Sequence, residues 1–249
     1  MTMTQRFSRP IPSTRRTGEE GPAAGERVRR SALVAGTGLL GMAVLAAVGN
    51  FVAVQPLVTD GDATRTGTDI MAAQATFTLG IAALLVVVVL DVVVARALRA
   101  FFAPVHRPLA SLAAWLRVTY AAMFAVAISQ LFFALRLLQG ARHLAGSALA
   151  DERTEALLKI EAFHDIWRIS LILFGLHLVL IGHLAYRSAY VPRVLGALLV
   201  IAGTGYLVDS VGGILFNGYS LNVSAVTFIG EALLLVWLLV KGRRLTLSA

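Results

Sequence analysis

Six stretches of this 249-residue sequence run close to the length needed to cross a bilayer with almost no charge inside them: 32–54, 72–95, 112–138, 164–186, 194–216 and 223–240. The hydrocarbon layer asks for about 20 apolar residues per helical pass. A soluble helix or strand keeps a wet face, and these blocks keep none. Only helices and closed barrels satisfy every backbone group in hydrocarbon, and a barrel strand must alternate between lipid and lumen, which these blocks do not. The expectation is an all-α, polytopic transmembrane helical bundle of six spans over residues 32–240. With 57% hydrophobic residues, 14% charged and a mean hydropathy of +0.77, little is left over for a second, water-soluble domain.

The remaining residues read as a disordered basic tail at 1–31 and a short basic tail at 241–249. The distribution of Lys and Arg orients the bundle. Seven Arg lie in 1–31, three in 96–111, two in 187–193, and Lys241, Arg243 and Arg244 follow the last span, against only Arg65, Arg142, Arg153 and Lys159 in the alternate connections. Both termini are therefore expected in the cytoplasm. The formal charge of +8 comes from residues beside apolar blocks, with no basic stripe interleaved with aromatics. Anionic lipid headgroups at the cytoplasmic face are the expected partner, and nucleic acid is not.

Several chemistries are excluded or weakened. The absence of cysteine removes thiol nucleophiles and thiolate metal sites. The GxG sequences at 36–38 and 203–205 lie within spans and read as helix-packing surfaces, not as phosphate loops. His177 and His183 project about 120° apart on their helix and cannot share a metal, so His177 reads as a packing histidine. No catalytic residue, cofactor or metal site is assigned.

Ionisable groups in hydrocarbon are costly and ask for a partner or a job. Counting along each helix from the outer boundary places Gln130, Arg168, Asp209 and Glu231 at one level, with His164 just above. Tyr206, Asp209 and Gly213 share a face of the fifth span, as Ser224, Thr227 and Glu231 do on the sixth, and His164, Arg168, Gly175 and Gly182 on the fourth. These residues define a candidate polar pocket: Gln130, His164, Arg168, Asp209 and Glu231, with Arg168 as counter-ion for Asp209 or Glu231. Asp91 and Arg117, near the cytoplasmic side of consecutive antiparallel spans, form a candidate structural salt bridge, with Pro104 and Pro108 stiffening the connection between them. The Glu155/Lys159 spacing extends the fourth helix beyond the membrane.

The segments LDVVVARALRAFFAPVHRPLASLAAWLRVTY (90–120), FHDIWRISLILFGLHLVLIGHLAYRSAYVPRVLGALLVIAGTGYLVDS (163–210) and FIGEALLLVWLLVKG (228–242) resemble the bacterial six-helix membrane family catalogued as domain of unknown function 4386. The resemblance implies six spans in a bacterial inner membrane and brings no reaction, ligand or catalytic residue. Three functions remain open from the residues: a small transport, sensing or accessory protein using the outer pocket for an unknown small ligand or ion; a lipid hydrolase or transferase with His164 and a carboxylate as acid/base pair; or a structural membrane protein whose polar groups only assemble helices.

Overall fold

The computed structural model describes residues 20–216, 218, 219, 221, 223 and 229–245. Helix α1 (Glu20–Ala46) passes through a π-helical stretch, Ala47–Val54, and a single turn, Gln55–Leu57. Helices α2 (Ala63–Ala72), α3 (Gln74–Gly140), α4 (Gly146–Arg187), α5 (Arg193–Leu215) and α6 (Ile229–Val240) follow. The protein is a helical membrane bundle. Four of its helices are long and apolar enough to cross a bilayer, and α6 is a shorter apolar segment. Large apolar side chains such as Leu79, Trp115, Phe51 and Val194 stand exposed on the flanks, which only lipid would solvate.

Helix α3 is two spans joined by a sharp bend. His106 leaves helical geometry (φ −160°, ψ 97°) between Pro104 and Pro108, each of which removes an amide donor from the ladder. The His106 ring then caps the second arm, its Nδ1 accepting the Leu109 amide at 3.2 Å. Arg99 donates through Nε to Ser111 Oγ at 2.9 Å across the bend. Nearby, the Tyr190 hydroxyl donates to the Phe101 carbonyl at 2.8 Å, securing the α4–α5 turn, and burial pushes that phenol above its ordinary range.

Two boundaries differ from expectation. Helix α1 starts at Glu20, inside the segment 1–31 expected to be disordered. Val28, Ala32 and Ala35 form a continuous buried stripe there, and Ala32 packs against Gly242, so the helix end is held by the chain's other end. Helix α4 starts at Gly146, earlier than the Glu155/Lys159 spacing suggests, and overhangs His164 by about 27 Å at 1.5 Å per residue. Helix α2 braces this overhang: Gly67 lies against Arg153 and Leu138, and Ile70 is fully buried. Asp62 caps α2 by accepting the Arg65 amide at 2.8 Å.

Helices α4 and α5 are antiparallel and touch backbone to backbone. A Cβ on Gly175 would stand 2.8 Å from the Gly203 carbonyl oxygen, and one on Gly182 would stand 2.7 Å from that of Gly196. Gly230 brings α6 equally close to α5, where a Cβ would sit 2.6 Å from the Leu198 carbonyl oxygen. Small residues permit this approach where no hydrophobic effect drives helices together.

Candidate functional site

At the end of the bundle that carries α2, helices α4 and α5 line a cavity of about 440 Å³. Residues at helical spacing on each helix face it: His164, Trp167 and Arg168 from α4, and Tyr206, Asp209, Ser210 and Gly213 from α5. Gly213 makes room for Arg168, whose Cδ would be 3.0 Å from a Cβ there. Part of the connection that follows α5 closes one side. Asp209 holds it, its Oδ1 accepting the Tyr219 hydroxyl at 2.8 Å and the Val223 amide at 3.0 Å. Partial desolvation and the bond to Asp209 raise the Tyr219 phenol above its ordinary range.

The structure thus brings His164, Arg168 and Asp209 to one cavity, but it separates the other two candidates. Gln130 faces a different groove, between the second arm of α3 and the α4 overhang, with Arg136, Glu155 and Lys159. Glu231 does not line the cavity. Ten residues of α6 separate it from Lys241, about 15 Å of helix, whereas sixteen residues of α5 separate Asp209 from Arg193, about 24 Å. Glu231 therefore lies deeper than the shared level expected for it. Ser224 and Thr227, expected on its face, lie outside the described residues. Arg168 meets Asp165 at 3.4 Å, and with both side chains largely exposed that pair contributes little.

Beneath the cavity is a second polar group, buried at the level of Glu231. Arg117 Nη2 and Asp91 Oδ1 are 2.8 Å apart, with the side chains 2% and 0% exposed. Arg117 Nη1 lies 3.2 Å from His177 Nε2, and His177 Nδ1 lies 2.8 Å from the Ala113 carbonyl oxygen. A carbonyl can only accept, so His177 carries its proton on Nδ1 and offers Nε2 as an acceptor to Arg117. His177 is then neutral and lends no charge. The guanidinium is completed by Met42 Sδ at 3.7 Å and the face of Phe174, 5.4 Å away. Sequence reasoning paired Asp91 with Arg117 but left His177 apart. The signal available was depth: His177 is ten residues from Arg187 as Glu231 is ten from Lys241.

Tyr206 joins the two groups. It lines the cavity and packs edge-on against Phe174, whose ring face lies under the Arg117 guanidinium. Glu231 Oε1 is sealed and has no partner among the described residues, as is true of Trp167 Nε1 and Ser210 Oγ, both of which belong to cavity-lining residues. Among the described residues, no three His, Asp or Glu side chains converge as a metal would require.

Residues 34–242 match the family described as Domain of unknown function (DUF4386). The chain belongs to this family. The match runs from α1 through the turn after α6, so the cavity, the buried ion pair and Glu231 all fall inside it. An uncharacterised protein of Archaeoglobus fulgidus is 36% identical over 169 residues, which cover 67% of this chain and 85% of that protein. No solved structure matches.

Proposed function

We propose that this chain is a small multi-pass transport or sensing protein of the cytoplasmic membrane, binding a small polar solute from the outer side in the cavity between α4 and α5. The observation that carries the reading is a cavity of about 440 Å³ whose walls bring Arg168 and His164 of α4 to face Asp209 of α5. The volume falls within the roughly 300–1,000 Å³ typical of small-molecule sites. With Arg168 and His164 on one wall and Asp209 on the other, the cavity suits a solute that carries both an acceptor and a donor.

Orientation follows from the basic residues. The end with the α3 bend, the α4–α5 turn, the start of α1 and Gly242–Arg244 collects most of them; by the positive-inside rule it faces the cytoplasm, against anionic headgroups, and the cavity opens on the outer side. A reporter fused within 139–163 is expected to read as external and one at 187–193 as cytoplasmic. The reverse pattern would invert the cavity.

The binding reading is checked by thermal unfolding of purified protein against a panel of amino acids, amines and small carboxylates. At least one is expected to raise the melting temperature of the wild type. Leu171→Trp, which fills the cavity from α4, is expected to abolish that rise while melting close to wild type in its absence. A panel without effect, or one equally effective on the filled variant, would end this reading.

A further inference from the structure

We propose that the groove between the second arm of α3 and the overhang of α4 binds one anionic phospholipid of the outer leaflet, with its phosphate between Arg136 and Lys159 and its headgroup hydroxyls on Glu155 and Gln130. The groove shares no residue with the α4–α5 cavity. It has a volume of about 570 Å³ and is lined by Gln130, Phe133, Arg136 and Leu137 from α3 and by Glu155 and Lys159 from α4.

Depth points to a headgroup as the occupant. Arg136 is twenty-nine residues along α3 from Arg107, about 44 Å of helix, and Lys159 is twenty-eight residues along α4 from Arg187, about 42 Å. A bilayer with its headgroup layers is about 40–45 Å thick. With Arg107 and Arg187 in one headgroup layer, Arg136 and Lys159 reach the opposite layer together, although they come from different helices. Below them the surface turns apolar. Val126, Gln130, Phe133 and Leu137 share one face of α3 at helical spacing. Val126 and Phe133 are 55% and 50% exposed, and Phe132 beside them is 48% exposed. Acyl chains would run along this flank while the phosphate stays above it. The Arg136 guanidinium lies over the Phe132 ring, 6.0 Å from its centroid, where the flank meets the groove.

The two cations are also uncommitted. Elsewhere at this end Arg65 meets Asp69 at 3.7 Å, Arg142 donates to Gln74, and Arg168 meets Asp165 at 3.4 Å. Arg136 and Lys159 have no ion-pair or hydrogen-bond partner among the described residues, even though Glu155 stands one turn from Lys159 on α4. Two cations and one carboxylate leave the groove with a single positive charge, which one phosphodiester balances. Guanidinium and ammonium groups donate strongly to phosphate oxygens, and a carboxylate accepts from hydroxyls. Phosphatidylglycerol carries both kinds of group on one headgroup.

The test is thermal unfolding of the full chain in neutral detergent, titrated with phosphatidylglycerol, phosphatidylcholine or inorganic phosphate, with native mass spectrometry counting the lipids retained. Phosphatidylglycerol is expected to raise the wild-type melting temperature, and the other two are not. Arg136→Gln/Lys159→Gln should melt with the wild type in detergent alone, retain one phosphatidylglycerol fewer, and need roughly tenfold more of it for the same rise. Arg136→Lys keeps the response. Arg29→Gln/Arg30→Gln, at the other end of the bundle, keeps it too. The proposal is overturned if phosphatidylcholine acts equally, if inorganic phosphate alone reproduces the rise, or if the groove variant responds as the wild type does. It also falls if neutralising Arg29 and Arg30 costs as much, which would assign the effect to the cytoplasmic face. Leu171→Trp should leave the lipid response intact; its loss there would move the lipid into the α4–α5 cavity and end the proposal.

Discussion

An Arg117→Met protein is expected to unfold with about 3–5 kcal/mol less stability than the wild type, the usual cost of leaving half of a buried ion pair behind. Asp91 is 0% exposed, and apart from Arg117 neither of its oxygens has a hydrogen-bond partner among the described residues. His177 Nε2 also loses its donor, which adds to the penalty. Asp91→Leu should be destabilised in the same sense, because it strands the guanidinium. The double variant Asp91→Leu/Arg117→Met removes both charges and is expected to recover most of the loss, falling short by the acceptor left on His177. Denaturant unfolding in mixed micelles, followed by tryptophan fluorescence, gives the three differences. Were Arg117→Met within about 1 kcal/mol of wild type, the pair would not be holding α3 to itself and to α4, and its role would have to be sought in function.

How far the sequence goes can be judged from particular residues. The spans are legible because the bilayer imposes a length and forbids charge, so the blocks around 85–90 or 171–181 have no other reading. Asp91 and Arg117 are legible as a pair because a short hairpin bend fixes which residues of its two arms are level. Helix α2 is not legible, since ten residues whose only buried hydrophobic side chain is Ile70 give no apolar period to detect. The link between Arg117 and His177 joins residues sixty positions apart, and it depends on how α4 is rotated against α3, which no pattern within either helix encodes. Glu231 is misplaced by its outer boundary, because the start of the last span is poorly marked. Counting inward from Lys241 puts it level with His177. The candidate site thus divides in two: the cavity, read from helical faces, and the interior group, which appears only when the helices are assembled.

Gly203→Leu is expected to have an effect as large as the loss of Arg117, through geometry instead of charge. A Cβ at this position would lie 2.5 Å from the Gly175 carbonyl oxygen and 2.8 Å from the Val179 amide nitrogen, both backbone atoms that cannot rotate away. Overpacking a well-filled site costs about 1–3 kcal/mol and more where the obstacle is rigid, so α4 and α5 must separate or the fold must fail. Gly140→Ala serves as the control, because nothing lies within 4 Å of a Cβ there. Replacing glycine by alanine in a helix gains up to about 1 kcal/mol where space allows, so this variant should equal or exceed wild type. The consequence reaches the cavity. Gly182 against Gly196 and Gly175 against Gly203 set one antiparallel register, and the same line of contact continues outward to Arg168 lying over Gly213 at the cavity wall. A milder substitution, Gly203→Ala, should therefore fold and still lose solute-dependent stabilisation, because it shifts the two helices whose faces carry His164 and Asp209. Measured together, the melting temperature and the solute response separate a bundle that is merely weakened from one whose cavity has been moved.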